Sequence, residues 1–108
     1  MVMDTSKADW KLFREKIGDW QEAYMERLVK QYIKLLSSEK DASDKFWALD
    51  ERLKKDKKRP GVQLELNKSE MECDLARLIK DKVITMDDLA EFSDECRERV
   101  EFYLERLR

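Results

Sequence analysis

The sequence contains no histidine, so it lacks the commonest general base near neutral pH and the commonest metal ligand. Its two cysteines, Cys73 and Cys96, have no CxxC spacing. They read as small packing groups with free thiols rather than as a disulfide, a zinc pair or an activated nucleophile. Glycine occurs twice and proline once, too little turn material for a β-sandwich. Neither Gly18 nor Gly61 stands in a GxGxxG or GxxxxGKS/T pattern, so no nucleotide cradle is encoded. The longest apolar run is Phe46-Trp47-Ala48-Leu49, against the roughly 18 residues of a bilayer-spanning helix. Residues Met1 to Lys7 carry neither the apolar stretch nor the small-residue site of a secretory signal, which makes the cytoplasm the expected location. Together these absences predict a non-enzymatic chain with no catalytic, cofactor or metal residues and no membrane partner.

Charge is what the chain has most of. Charged residues make up 44% and apolar residues 42% of 108 residues, a balance typical of long amphipathic helices in one all-α domain. The net charge of −2 is unevenly spread, because residues 1–61 carry 15 basic and 12 acidic side chains and residues 62–108 carry 8 and 13. The C-terminal part is therefore acidic.

Apolar spacing organises the chain into about five helices. Trp10, Phe13, Ile17, Trp20 and Tyr24 recur at steps of three and four, the seam of a long first helix packed on a second. Beyond Tyr24 the seam doubles: Leu28 and Leu35 continue one line, and Met25, Val29, Tyr32, Ile33 and Leu36 run beside it, which predicts burial on two sides. Gly18 interrupts the pattern and is read as a close helix contact. The polar break Ser37, Ser38, Asp41, Ser43 places the second helix start between Ser38 and Ser43. Its apolar line is Phe46, Leu49 and Leu53, and it ends in cations before Pro60-Gly61. Residues 1–59 thus form a helical hairpin. Over 62–66, Val62, Leu64 and Leu66 alternate with polar residues, giving an extended connector (60–67) or, alternatively, a strand pairing with the same segment of another chain. Residues 68–108 form a tri-helical unit. Asn67 with Glu70 and Thr85 with Asp88 are capping boxes, and Ser93 caps a final helix carrying Cys96, Val100, Tyr103, Leu104 and Leu107.

That unit has helix-turn-helix spacing, with Met71 to Ile79 leading, Met86 to Phe92 second and Asp94 to Leu107 as recognition helix. Its charge opposes a DNA role, since Asp94 and Glu95 stand where bases and phosphates would be met. Asp81 to Phe92 has the outline of a calcium loop's closing half but supplies none of its early ligands. The basic run Lys54, Lys55, Lys57, Lys58 and Arg59 is the best candidate for nucleic-acid contact, although a solvated helix end, the favoured reading, explains it without function. Two aromatics fit their helices badly. Phe102 lies about 200° around the last helix from Val100 and Leu104, among acidic residues, and Trp47 lies about 100° off the Phe46 line.

The residues Asp56-Lys57-Lys58-Arg59-Pro60-Gly61-Val62, Val83-Ile84-Thr85-Met86-Asp87-Asp88-Leu89 and Phe92-Ser93-Asp94-Glu95 resemble a group of short uncharacterised proteins of gut-dwelling anaerobic bacteria. These often look like accessory genes of mobile elements and sometimes carry a transporter label, which the absent membrane segment contradicts. The resemblance covers the C-terminal half and brings no functional residues. It implies an inhibitor or regulator of nucleic-acid machinery.

The resulting expectation is a protein-binding module, a regulator or anti-CRISPR-like inhibitor, docking Asp94, Glu95, Glu98, Glu101, Phe102 and Glu105, with Trp47, on a basic partner protein. The alternatives are a helix-turn-helix DNA-binding regulator and a structural homo-oligomer, with a homodimer possible in either case.

Overall fold

The structure, a computed structural model, describes residues 5–108 and is all-helical. The α-helices are α1 (Lys7–Leu36), α2 (Ala42–Asp56), α3 (Met71–Lys80) and α4 (Asp94–Leu107). Short 3-10 turns at Lys68–Glu70 and Met86–Leu89 precede α3 and α4. No strand occurs among the described residues, so 62–66 is a connector there. Residues 1–4, on which the expectation of no secretory signal partly rests, lie outside the described residues. Among the described residues no helix is long and apolar enough to cross a membrane.

α1 begins where Ser6 Oγ accepts the Asp9 N–H at 3.0 Å. At 30 residues it is about 45 Å long, and it sets the 57 Å long axis of a molecule only 25 by 22 Å across. Its two halves do different work. The seam Trp10 to Trp20 packs into the C-terminal unit rather than along α2: Phe13 and Ile17 share one core with Met71, Leu75, Leu78, Leu89, Phe92, Val100 and Leu104. Trp20 stacks on Phe92 with centroids 6.4 Å apart.

Past Tyr24 the main cover among the described residues is α2, with Val62 of the connector and the turn at Lys82 touching only its first turns, and this half with α2 forms an arm. The expectation of two-sided burial fails here. Tyr24 and Leu28 are buried and Met25, Tyr32 and Leu35 half-buried, but Val29, Ile33 and Leu36 are exposed. A single partner helix covers one stripe, whereas the doubled apolar line needs two neighbours. Phe46, read as core-facing with Leu49 and Leu53, is also exposed for want of an opposing surface. Gly18 is a second correction, since a Cβ there meets nothing within 4 Å.

Gly61 is the tightly placed glycine. A Cβ there would lie 2.4 Å from Tyr24 Cδ2 and 2.7 Å from Val83 Cγ2, so the backbone of the 60–67 connector lies directly against α1. Gln21 Nε2 fixes the same point by donating to the Pro60 carbonyl at 3.0 Å. Leu64 leans on the core while Leu66 is exposed, which breaks the alternation read in the sequence.

α3 ends in a Schellman motif: the Val83 N–H donates to the Leu78 carbonyl and the Lys82 N–H to the Ile79 carbonyl, both at 2.9 Å. Lys82 holds the left-handed position this requires, at φ 62°. The Thr85 and Asp88 capping box forms, with the Thr85 N–H 2.8 Å from Asp88 Oδ2. It starts only a four-residue 3-10 turn, not the helix expected through Phe92, so five expected helices become four with two 3-10 turns. The cause lies just ahead. Ser93 Oγ accepts the Cys96 N–H at 3.1 Å and starts α4, and Arg97 donates to the Leu89, Ala90 and Phe92 carbonyls, taking up acceptors a continuing helix would have used.

Buried carboxylates tie the elements together. Asp9 on α1 accepts from both the backbone N–H (2.9 Å) and the hydroxyl (2.6 Å) of Ser93, joining α1 to the start of α4. Burial alone would raise the Asp9 carboxyl, but these bonds hold it below the usual range. Glu72 accepts from the Thr5 hydroxyl at 2.7 Å and from Arg99 at 3.0 Å. Asp56 accepts from Tyr32 Oη at 2.5 Å and Arg59 Nε at 3.1 Å, closing the base of the arm.

Candidate functional site

Five of the eight large apolar side chains left exposed among the described residues lie on the arm. Val29, Ile33, Leu36, Phe46 and Trp47 are each between 45% and 64% exposed. On α1 the first three lie about 100° to one side of the line that meets α2; antiparallel geometry places Phe46 on that same side of α2. A groove of about 150 Å³ continues the face toward the core, lined by Met25, Leu28, Val29, Tyr32, Leu53 and Val62 with Asp56 and Lys57 at its edge. Trp47 points further out and meets Phe46 edge-on, with centroids 5.0 Å apart. Exposed apolar patches of this size are often functional on small domains.

A second surface is electrostatic. The ends of α2 and α3 border a cleft of about 830 Å³ lined by the cations Lys54, Lys55, Lys58, Arg59, Arg77 and Lys80, with the carboxylates Glu51 and Asp81 and the apolar Pro60 and Leu107. Four of the five basic residues singled out in the sequence therefore share a cleft, and Lys57 turns instead to the apolar groove. Arg77 and Lys80 were not singled out, because twenty residues and a connector separate them from the basic run. Among the described residues Arg59 pairs with Asp56 and Asp81, Arg77 with Asp74 and Lys54 with Asp50. Lys55, Lys58 and Lys80 have no carboxylate partner among them. Asp74 is buried behind Arg77, and its carboxyl is pushed up to about 6 by that burial, against the pull of Arg77.

The third surface is the outward face of α4. Cys96, Val100 and Leu104 point into the core, and Asp94, Glu95, Glu98, Glu101 and Glu105 are exposed, with Phe102 55% exposed among them. Tyr103, placed on the core line by sequence, is also exposed, edge-on to Phe102 at 5.8 Å. The charge is partly answered from within the helix: Arg97 pairs with Asp94, Arg108 with Glu105, and the Arg106 guanidinium lies 4.4 Å from the Phe102 ring centroid. Trp47 is on a different element and does not belong to this face.

The thiols are free. Burial pushes Cys96 up to about 12 and raises Cys73 as well, the opposite of what a nucleophile needs. Among the described residues no group of three or more His, Cys, Asp or Glu side chains is placed to hold a metal ion. Set against protein-family models, curated proteins and solved structures, the chain matches none of them.

Proposed function

We propose that this chain is a non-catalytic interaction module that associates with a second copy of itself through the apolar face of the α1–α2 arm. One observation carries the reading. Val29, Ile33, Leu36, Phe46 and Trp47, at 45% to 64% exposure, leave roughly 600 Å² uncovered on one arm, close to the roughly 800 Å² per partner of a standard interface before any flanking residue is counted. Two antiparallel helices bury one stripe each. Four complete a bundle, and a second arm supplies the missing pair with matching shape and chemistry. Association of this kind makes thermal stability depend on protein concentration. The melting temperature should rise with concentration for the wild type and become independent of it for Ile33→Glu and Phe46→Glu. A wild-type melting temperature constant across the range would count against the proposal.

The outward face of α4 favours a second reading, a regulator or inhibitor that meets a basic partner protein. Its support is Phe102 at 55% exposure among five carboxylates, an aromatic anchor with a charged surround. Dimerisation through the arm would present two such faces. The DNA-reader alternative loses ground, since its second helix is a single 3-10 turn and α4 opens on Asp94 and Glu95.

A further inference from the structure

The geometry points to a binding site for a chain of phosphate groups in the cleft between the ends of α2 and α3. Six cations face two carboxylates there, and the carbonyl ends of two helices add only about half a negative charge each. Asp50 pairs with Lys54, Asp56 and Asp81 with Arg59, and Asp74 with Arg77, which leaves the three positive charges of Lys55, Lys58 and Lys80 without an ion-pair partner among the described residues. A helix end favours cations on its own last turn. That accounts for Lys54 and Lys55 on α2 and for Arg77 and Lys80 on α3 taken singly, but not for two cationic ends facing across one cleft. The unpaired lysines repel one another, and an anion entering the cleft relieves that repulsion. Lys55, Lys58 and Lys80, exposed and without a carboxylate partner among the described residues, are the side chains available to it.

Phosphate is the chemistry that fits. The lining offers cationic donors and no aromatic ring, so bases would find nothing to stack on and recognition is confined to the backbone. Two sources present such an array, the phosphodiester backbone of nucleic acid and free linear polyphosphate. Binding would be independent of base sequence. It would also be steeply salt-dependent: three lysines each neutralising one phosphate of a duplex give a slope of about −3 in log affinity against log salt. The site uses residues apart from the apolar arm face, so it stands whether or not the arm pairs.

The test is fluorescence anisotropy of the full chain with a short labelled DNA duplex at low salt. Lys55→Glu, Lys58→Glu and Lys80→Glu together should weaken binding on the order of tenfold or more and flatten the salt slope. A matched triple at exposed lysines elsewhere, Lys7→Glu, Lys11→Glu and Lys40→Glu, should retain most of the affinity, with circular dichroism verifying the fold of both. Displacement of the duplex by unlabelled polyphosphate would support a site for phosphate chains in general, and cleft-dependent binding without displacement would assign it to the nucleic-acid backbone. The proposal is overturned if neither duplex nor polyphosphate binds at low salt, or if the two triples weaken binding equally.

Discussion

Replacing Gly61 by alanine should cost stability out of proportion to the single methyl added. That methyl would sit 2.4 Å from Tyr24 Cδ2, 2.8 Å from Tyr24 Cε2 and 2.7 Å from Val83 Cγ2, so side chains from α1 and from the turn after α3 must both move. Tyr24 has little room to do so, being buried, with the Arg27 guanidinium 5.1 Å from its ring centroid. Overpacking of this kind costs about 1–3 kcal/mol, and the lower entropy of the unfolded alanine chain offsets about 0.4–1 kcal/mol. The net loss is about 1–2 kcal/mol, which in a domain of this size lowers the melting temperature by roughly 5–10 °C. Urea or thermal unfolding followed by circular dichroism, at one fixed protein concentration, reads it directly. Gly18→Ala is the control of opposite sign. It lies within α1 with open space around it, so it should stabilise by about 0.5–1 kcal/mol. If the loss comes from the tyrosine ring, then in a Tyr24→Ala background Gly61→Ala should be much less harmful, a coupling visible in a double-mutant cycle. Wild-type stability for Gly61→Ala, or equal behaviour of the two glycines, would refute the packing assigned to the connector.

Two further predictions concern the C-terminal unit. Lys82 occupies a left-handed position at φ 62°, so Lys82→Gly should raise the urea midpoint by an amount corresponding to about 1 kcal/mol. The Arg27 hydrogen bond to the residue 82 carbonyl is untouched by the change, and a lowered midpoint would contradict the strain argument. The Asp74 carboxyl, pushed up to about 6 in the folded chain, keeps its proton there over a range where the unfolded chain, titrating near the usual value of about 4, has lost it. The folded state thus binds more protons across that window, and its contribution to stability is present below about pH 4 and declines as pH rises toward about 6. Asp74→Asn should remove that decline and be more stable than wild type at neutral pH, by about 3 kcal/mol at most. An unchanged pH profile would show that Asp74 is better solvated than its burial implies.

Local signals were legible in the sequence because they are satisfied by neighbours a few residues away. Asp41 flanks α2 inside the expected window, the Thr85 and Asp88 box forms, and Ser93 caps α4. The alternation of buried and exposed residues on α4 also follows from helical spacing, which is how Phe102 could be placed on the outward face. What failed depends on how many neighbours an element has. The doubled line from Met25 to Leu36 was read as burial on two sides, although periodicity reports only that an apolar stripe is wide, not that something covers it. The excess of apolar residues over what α2 can cover was the available signal for the arm face. Arg77 and Lys80 could not be joined to the basic run from sequence, since their meeting depends on the path of the connector over Tyr24. The carboxylates Asp9, Asp56 and Glu72 were hidden for the same reason, each being buried by partners on distant elements.

Sedimentation equilibrium of the wild-type chain beside Phe46→Glu tests the arm most directly. The wild type should approach twice the 13.1 kDa chain mass as concentration rises, and Phe46→Glu, altered at an exposed side chain, should stay at the mass of one chain while keeping its helical spectrum. A wild-type mass of a single chain at every concentration would contradict the account.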